Sequence, residues 1–247
     1  MRYFLEVSYK GTDYSGFQSQ HNANTIQAEV EKAFKILQKE EVDMTGSSRT
    51  DAGVHALQNF FHFDYEGEIN PHFLYKLNAI LPGDIVAEKL IPVNKKAHCR
   101  FDAVSREYKY YIYRHKDPFL KERAFYFPYK LDLEQMHKAA DLLKDYDDYT
   151  SFSKRNTQVK SFECTIFESG WKQEDGCLVY QVKSNRFLRG MVRALTATML
   201  KIGRGKLTVE DFLRIIEARN CTIASFAVPA HGLFLIGVEF PEDFIKL

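Results

Sequence analysis

The order of strand-like and helix-like stretches constrains the fold of this chain most strongly. Residues 1–9 alternate between apolar and polar side chains, and residues 57–65 are rich in aromatic side chains, as in strands that lie half-buried against a core. Between them, five apolar residues recur at helical spacing: Ile26, Val30, Ala33, Phe34 and Leu37. A similar order of strand, helix, strand, strand and helix runs through residues 1–100 and again through residues 101–247. We therefore expect an α+β fold of two duplicated halves, whose antiparallel strands join into one sheet with helices packed on it.

Turn and cap residues mark the other elements. Pro71 fits the first turn of a helix that ends at Pro82. Residues 174–176, Glu-Asp-Gly, lie between two strand-like runs and predict a hairpin. Ser184 or Asn185 can cap a further helix. The remaining expected elements are a helix over 131–143, a short helix over 209–218 and an apolar strand over 229–240.

The composition is that of an ordinary soluble protein. Of the 247 residues, 45% are hydrophobic, and no stretch approaches the roughly 18–20 apolar residues that span a bilayer. Glu6 interrupts any signal-peptide core near the N-terminus, so we expect a cytoplasmic location. The cysteines are far apart and form no Cys-x-x-Cys pair, which predicts reduced core residues rather than a disulfide framework or a zinc cluster. They are Cys99, Cys164, Cys177 and Cys221.

The charges are distributed unevenly along the chain. A net charge of +1 argues by itself against a nucleic-acid binder. However, residues 183–206 hold seven Lys and Arg and no Asp or Glu, whereas residues 132–148 hold six acids against two lysines. We expect one positive face, with two unrelated solvated faces as the alternative.

Residues 46–56 concentrate the groups suited to chemistry. Small and flexible residues there surround one carboxylate, Asp51, with the guanidinium of Arg49 two residues away. Gly46 and Gly53 permit a sharp turn and the close approach of a ligand. A carboxylate held near a guanidinium stays ionised at neutral pH, as a nucleophile or an electrostatic stabiliser must. The alternative is that Asp51 caps a turn and that Arg49 is its surface partner.

Two further segments combine cations with aromatic or apolar residues. In residues 106–114, Tyr108 and Tyr110 share one strand face and offer rings that can stack on bases, and an aromatic core strand is the alternative for most of these tyrosines. Arg189 and Arg193 stand four residues apart in the expected helix. Repulsion between them would indicate an anionic partner.

The string Arg-Thr-Asp-Ala-Gly-Val-His-Ala at residues 49–56 closely resembles the active-site motif of the TruA family, the tRNA pseudouridine synthases that act on the anticodon arm. In the loop over residues 9–20, which we expect to expose its aromatic residues for contact, Phe17 stands where that family usually has tryptophan. Further landmarks follow in the family's order and span nearly the whole chain. They are Thr25-Ile26-Gln27, residues 77–85, Arg106-x-Tyr108-x-Tyr110, residues 187–193 and residues 229–240.

The resemblance implies a reaction and the residues that carry it. Uridine is isomerised to pseudouridine: the N1–C1′ bond breaks, the freed uracil turns, and C5 rejoins C1′, without a cofactor. Asp51 is the nucleophile or the base directed at the sugar, and attack at C1′, attack at C6 and removal of the 2′ proton all stay open. By the same resemblance Tyr108 stacks against the target base, Arg193 pairs with Asp51 and keeps it ionised, and Leu233 lines the base pocket.

The resemblance also implies the substrate and the assembly. The substrates are tRNAs with uridines at nucleotides 38, 39 and 40 of the anticodon arm, and such a uridine must leave its stack to be reached. A basic surface is needed to hold the distorted RNA, for which Arg49, Arg189 and the other cations of residues 183–206 are the candidates. The implied fold is the pseudouridine synthase fold, with ferredoxin-like or RRM-like halves, a catalytic cleft between them, and a homodimer as the functional form.

Two other functions fit the residues alone. A catalytically silent RNA-binding module would keep the stacking strand and the cations, and it would tolerate the loss of Asp51. A hydrolase would need a metal or a second carboxylate. His55, His62 and Asp64 are candidate metal ligands, but the sequence shows no residues that would hydrogen-bond to them and orient them around a metal. No second acid lies near Asp51 in the sequence, as a hydrolase with two carboxylates would need. We therefore expect no metal.

Overall fold

The chain forms two compact units. The computed structural model describes residues 1–155, 157 and 159–241, so the last six residues of the expected second half lie outside the described part. The first unit consists of Met1–Val104 together with the chain from Phe234 on, and the second unit is Ser105–Leu233. The last strand, which the sequence pattern placed in the second half, clusters with the first unit.

The described residues contain nine strands and five α-helices. The strands are β1 (Arg2–Tyr9), β2 (Thr45–Gly46), β3 (His55–Asp64), β4 (Ile85–Val93), β5 (Ser105–Tyr113), β6 (Phe125–Tyr126), β7 (Ile166–Glu174), β8 (Cys177–Ser184) and β9 (Leu233–Glu239). The helices are α1 (Ile26–Gln38), α2 (Phe73–Ile80), α3 (Leu133–Leu142), α4 (Met191–Gly203) and α5 (Val209–Glu217).

The first unit has a mainly antiparallel sheet in the order β4-β1-β3-β9. β1 is antiparallel to both of its neighbours, β2 pairs antiparallel with β3, and β9 is parallel to β3. Phe34 of α1 is fully buried and joins the helix to the sheet. Its ring meets three other rings edge-on: Phe63, Tyr65 and Phe73.

The second unit also has a mainly antiparallel sheet. β8 is antiparallel to β5 and to β7, and the short β6 runs parallel to β5. Asp175 and Gly176 form the tight turn between β7 and β8, as the sequence predicted. The core contains fully buried aromatic residues: Tyr110, Tyr149, Phe152, Tyr180 and Phe212. The expected class, a mixed α+β fold with mainly antiparallel strands, is confirmed.

The structure corrects the start of α4. The helix begins at Met191 and not directly after Ser184 or Asn185. The Ser184 hydroxyl lies 2.8 Å from the Thr165 carbonyl and 2.7 Å from the Arg186 carbonyl. It therefore ties the end of β8 to neighbouring main chain, and the residue that directly precedes the helix is Gly190, with a φ of 76°.

This later start changes the interpretation of the basic residues. Arg189 precedes α4 instead of facing Arg193 one turn away, so the expected repulsion within a helix is wrong. α4 is buried along most of its length. Its exposed cations gather at its C-terminal end, at Lys201 and Arg204.

Candidate active site

Asp51 lies in the loop that joins β2 to β3. Arg49 is exposed, Thr50 is buried and Asp51 is partly exposed. The Val54 amide donates to the Asp51 carbonyl at 3.2 Å and closes a turn. Gly53 has a φ of 77°, a conformation that favours glycine. The turn expected from the sequence therefore exists, and Asp51 is partly exposed within it.

A buried polar network holds the main chain of this loop. Asn59 of β3 is fully buried and accepts a hydrogen bond from the Ser47 hydroxyl at 2.7 Å. Its amide group donates to the Ser48 carbonyl at 2.9 Å and to the Tyr9 hydroxyl at 3.1 Å. The Tyr9 hydroxyl lies 2.8 Å from the Thr50 hydroxyl. Because buried networks with satisfied partners are rigid, this one fixes the residues directly before the candidate nucleophile.

The loop over residues 9–20 buries its aromatic residues, Tyr9, Tyr14 and Phe17, whereas its residues 13, 15 and 18–20 are exposed. Phe17 is 1% exposed, and its ring stacks on Phe61 with the centroids 4.6 Å apart. Its amide donates to the Thr50 carbonyl at 3.1 Å. The expectation of exposed aromatic residues is therefore wrong. Gly46 is needed for packing and not for backbone freedom, because a Cβ there would lie 2.1 Å from Cε1 of Phe17.

His55, the histidine of the motif, is a buried support of the same region. Its side chain is 1% exposed, Nδ1 accepts a hydrogen bond from the Gly11 amide at 3.0 Å, and its ring centroid lies 4.5 Å from that of Phe234. A ring nitrogen that accepts a hydrogen bond carries no proton, so the ring is neutral with its proton on Nε2. His55 thus connects the first loop to the motif.

Tyr108 and Tyr110 lie on β5 in different surroundings. Tyr108 is 9% exposed and meets the ring of Phe187 edge-to-face at 5.1 Å, which fixes the orientation of its ring. Tyr110 is fully buried, and its hydroxyl donates to the Pro229 carbonyl at 2.7 Å. Tyr110 is therefore a core residue, which is the alternative that the sequence left open for most of these tyrosines.

Hydrogen bonds to the main chain orient the guanidinium of Arg193. Nε and Nη2 donate to the Val228 carbonyl at 3.0 Å and 2.7 Å. Leu233 is buried at the start of β9, and the Arg189 side chain is exposed. The candidate residues are shared between the units: Arg49 and Asp51 belong to the first, and Tyr108, Arg189, Arg193 and Leu233 belong to the second.

The residues considered as metal ligands have other partners. His62 Nδ1 lies 3.2 Å from Cys99 Sγ, and the Asp64 carboxylate accepts two hydrogen bonds from Arg2 at 2.9 Å and 2.7 Å. Over residues 1–155, 157 and 159–241, no group of three or more His, Cys, Asp or Glu side chains is arranged to hold a metal ion. All four cysteines are free thiols, and only Cys221 is partly exposed. None of the helices described is long and apolar enough to cross a membrane.

Comparison with known proteins defines the class of this chain. A family model described as tRNA pseudouridine synthase matches residues 6–102 and 139–241. The chain belongs to the tRNA pseudouridine synthase family, whose members are isomerases that act on tRNA. The resemblance to TruA proteins is confirmed.

Curated relatives align with nearly the whole chain. It is 46% identical over 244 residues to tRNA pseudouridine synthase A of Parabacteroides distasonis, with 98% of this chain and 97% of that protein covered. The protein of the same name from Azobacteroides pseudotrichonymphae is 42% identical over 246 residues, with 99% of each chain covered. For Staphylococcus saprophyticus the identity is 40% over 250 residues, with 100% of this chain and 94% of that protein covered.

Sequence reasoning found the Asp51 loop but missed its support. Asn59 and Tyr9 are 50 residues apart, and no spacing rule joins them. One signal was available, because Asn59 is a polar residue inside an aromatic-rich strand. A polar side chain in such a run is usually either exposed or hydrogen-bonded in the core, and here it is the second.

Proposed function

We propose that this chain isomerises uridine to pseudouridine in the anticodon arm of tRNA, at nucleotides 38, 39 and 40, with Asp51 as the nucleophile. The family supports the reaction and the class of substrate. The relatives named tRNA pseudouridine synthase A support the same choice. The nucleotide positions and the role of Asp51 rest on the motif at residues 49–56.

The observation that carries the proposal is the way the Asp51 carboxylate is presented. It is partly exposed at a turn, whereas Thr50 before it is buried and bonded to the Asn59 network. A nucleophile needs such support, because attack requires the reacting atoms to be held about 3–3.5 Å apart. A carboxylate that is only a solvated surface group needs no such support.

The reaction balances without a second reactant. The N1–C1′ bond breaks, the uracil turns while it stays bound, C5 forms a bond with C1′, C5 loses its proton, and N1 ends protonated. Attack at C1′, attack at C6 and removal of the 2′ proton all use the same ionised carboxylate. No cofactor is part of the proposal.

We assign the remaining roles by the same reasoning. Tyr108 holds the uracil during its turn, since its ring is already oriented by Phe187. The other assignments are that Arg193 favours the ionised form of Asp51, that Arg49 and Arg189 hold RNA phosphates, and that Leu233 provides an apolar wall that keeps water from the reacting sugar.

Variants of Tyr108 separate the ring from the hydroxyl. Tyr108→Leu removes both and is expected to lower the single-turnover rate by about 100-fold or more. Tyr108→Phe keeps the ring, so a rate near that of the native protein would limit the role to holding the base. A loss as large as that of the leucine variant would mean that the hydroxyl takes the C5 proton.

Mapping the product tests the function as a whole. Unmodified tRNA transcripts are incubated with the protein in EDTA, labelled with carbodiimide and read by primer extension. We expect new stops at nucleotides 38, 39 or 40, and none in matched transcripts that carry cytidine there. Stops elsewhere in the tRNA would reject the site preference. The absence of any stop despite tight binding of tRNA would favour the silent RNA-binding module.

We also propose that the chain acts as a homodimer in the cytoplasm. Light scattering coupled to size-exclusion chromatography tests the assembly directly. A mass of about twice 28.8 kDa is expected for the purified protein. A monomeric mass at the concentrations at which the enzyme is active would reject the dimer and leave the reaction untouched.

A further inference from the structure

A concavity in the second unit combines an apolar floor with a rim of cations. Its volume is about 200 Å³, and four apolar residues form much of its lining: Phe125, Phe127, Leu200 and Val228. Three cations from the C-terminal end of α4 and the turn after it also line it: Lys201, Arg204 and Lys206. We call these seven residues the Arg204 patch.

The segments that build the Arg204 patch carry cations and no acidic residue. No Asp or Glu occurs in the segments that build it, residues 124–131, 197–207 and 225–229, and Lys130 adds a further exposed cation there. Within the described part of the chain, none of the three rim cations takes part in a salt bridge. Asp132 lies beside these segments, since its amide donates to the Gly203 carbonyl at 2.8 Å, and its carboxylate accepts the Gln135 amide at 3.1 Å as the cap of α3. Such a surface is complementary to a polyanion.

Aromatic rings stand in a row beside these cations. The centroids of Phe125 and Phe127 are 5.3 Å apart, and Phe127 meets Tyr129 edge-on at 4.9 Å. The guanidinium carbon of Arg204 lies 3.8 Å from the centre of the Tyr129 ring, a cation–π contact that holds the charge in place. Phe125 and Phe127 are partly exposed. Ring faces beside cations suit an unpaired nucleotide, whose base stacks and whose phosphate pairs with the cations.

The Arg204 patch is continuous with Arg193. Val228 lines the concavity, and its carbonyl accepts both hydrogen bonds from the Arg193 guanidinium. Along α4, positions 193, 197, 201 and 204 fall on one side of the helix, and the axial distance from the first to the last is about 16 Å. RNA that reacts beside Arg193 can therefore extend along this side to the patch.

We propose that the Arg204 patch is a second RNA-binding site, which takes an unpaired or unstacked nucleotide of the substrate tRNA together with its phosphate. The inference rests on the proposed function, because it assumes that the polyanion is the tRNA whose uridine reacts. It adds a subsite away from the reacting uridine. Its role is to hold the RNA while the target nucleotide is out of its stack.

Binding of an unmodified tRNA transcript tests the site. One variant carries Lys201→Gln, Arg204→Gln and Lys206→Gln, and the control carries Lys32→Gln, Lys35→Gln and Lys39→Gln on and after α1, which removes the same charge from exposed positions. We expect the patch variant to raise Kd about tenfold or more and to reduce the slope of log Kd against log salt by about 2, as the loss of two to three phosphate contacts requires. The control should change Kd less than about twofold.

A second variant tests the stacking part. Phe127→Leu keeps an apolar floor but removes a ring, so Kd should rise about fivefold or more while the salt slope stays as in the native protein. Melting temperatures check that both variants fold.

The outcomes separate this inference from the proposed function. If the patch variant and the α1 control bind tRNA with equal Kd and slope, the Arg204 patch is not an RNA site, whether or not pseudouridine forms. If Phe127→Leu binds as tightly as native protein, a nucleotide site is rejected. If native protein makes no pseudouridine but the patch variant still loses tRNA binding, the function fails and the site remains.

Discussion

Replacing Asn59 by alanine tests whether the buried network positions the Asp51 loop. The substitution removes the partner of the Ser47 hydroxyl, the Ser48 carbonyl and the Phe60 amide, which lie 2.7 Å, 2.9 Å and 2.9 Å from the Asn59 side chain. The Tyr9 hydroxyl keeps its bond to Thr50. Each of the three groups that lose their hydrogen-bond partner costs about 1 kcal/mol, near the lower end for buried polar groups. The free energy of unfolding should therefore fall by about 3 kcal/mol.

The effect on catalysis should exceed the effect on binding. Without Asn59 the main chain at residues 47–50 is free to shift, and a displacement of about 1 Å at a reacting group costs on the order of 100-fold in rate. We therefore expect the single-turnover rate of Asn59→Ala to fall about 10- to 100-fold, with Kd for tRNA changed less than about threefold. Urea unfolding measures the stability, and rapid-quench isomerisation of a tRNA transcript measures the rate.

Asn78→Ala is the matched control. Asn78 also holds main chain through its amide, at 2.8 Å and 2.9 Å from the nitrogen and oxygen of Ala87, but its strand partner is β4 and not the Asp51 loop. It should cost about 1–2 kcal/mol of stability and leave the rate unchanged. The reasoning is refuted if Asn59→Ala keeps the native single-turnover rate, or if Asn78→Ala loses the rate to the same extent.

Two further predictions concern packing and acid stability. Gly46→Ala places a methyl group 2.1 Å from Cε1 of Phe17 and should lower the free energy of unfolding, measured in urea, by about 1–3 kcal/mol. Gly83→Ala is the control: a Cβ there has nothing within 4 Å, so the loss should be less than about 1 kcal/mol. Equal losses would contradict the packing role of Gly46. His62 is 8% exposed, and burial, helped by His98, lowers its pKa to about 4. The unfolded chain binds this proton below about pH 6.5, whereas the folded chain does not until about pH 4. His62 should therefore lower the free energy of unfolding by about 1–2 kcal/mol between pH 7 and pH 5. His62→Gln should abolish this loss, and the control His72→Gln should leave it unchanged. An unchanged pH dependence in His62→Gln would reject this assignment.

Local signals in the sequence were sufficient for most of the fold. Alternation and aromatic content predicted β1 and β3, and the Glu-Asp-Gly turn predicted the β7–β8 hairpin, because these signals act over a few residues. The start of α4 could not be predicted in this way. Ser184 is a good helix cap by type, but it is the last residue of β8, paired with Arg106 of β5 and Ile166 of β7, and such pairing is visible only in the folded chain.

The candidate site shows the same division. The motif at residues 49–56 points to Asp51 directly, since its residue types and order are specific. The support of the loop depends on Tyr9 and Asn59, which are distant in sequence and meet because β1 pairs with β3. The seven cations of residues 183–206 were evident, but that α4 is buried and gathers its exposed charges at one end follows from tertiary packing.

Release of tritium from tRNA labelled at C5 of uridine tests the central claim most directly, because the C5–H bond must break when C5 joins C1′. The comparison is between native protein, Asp51→Asn, and Asp43→Asn as a control at an exposed acid of the same unit. Native protein and the Asp43 variant should release tritium at similar rates, and Asp51→Asn should release none while it still binds tRNA. Release by Asp51→Asn at the native rate would contradict the assignment of Asp51 as the catalytic carboxylate.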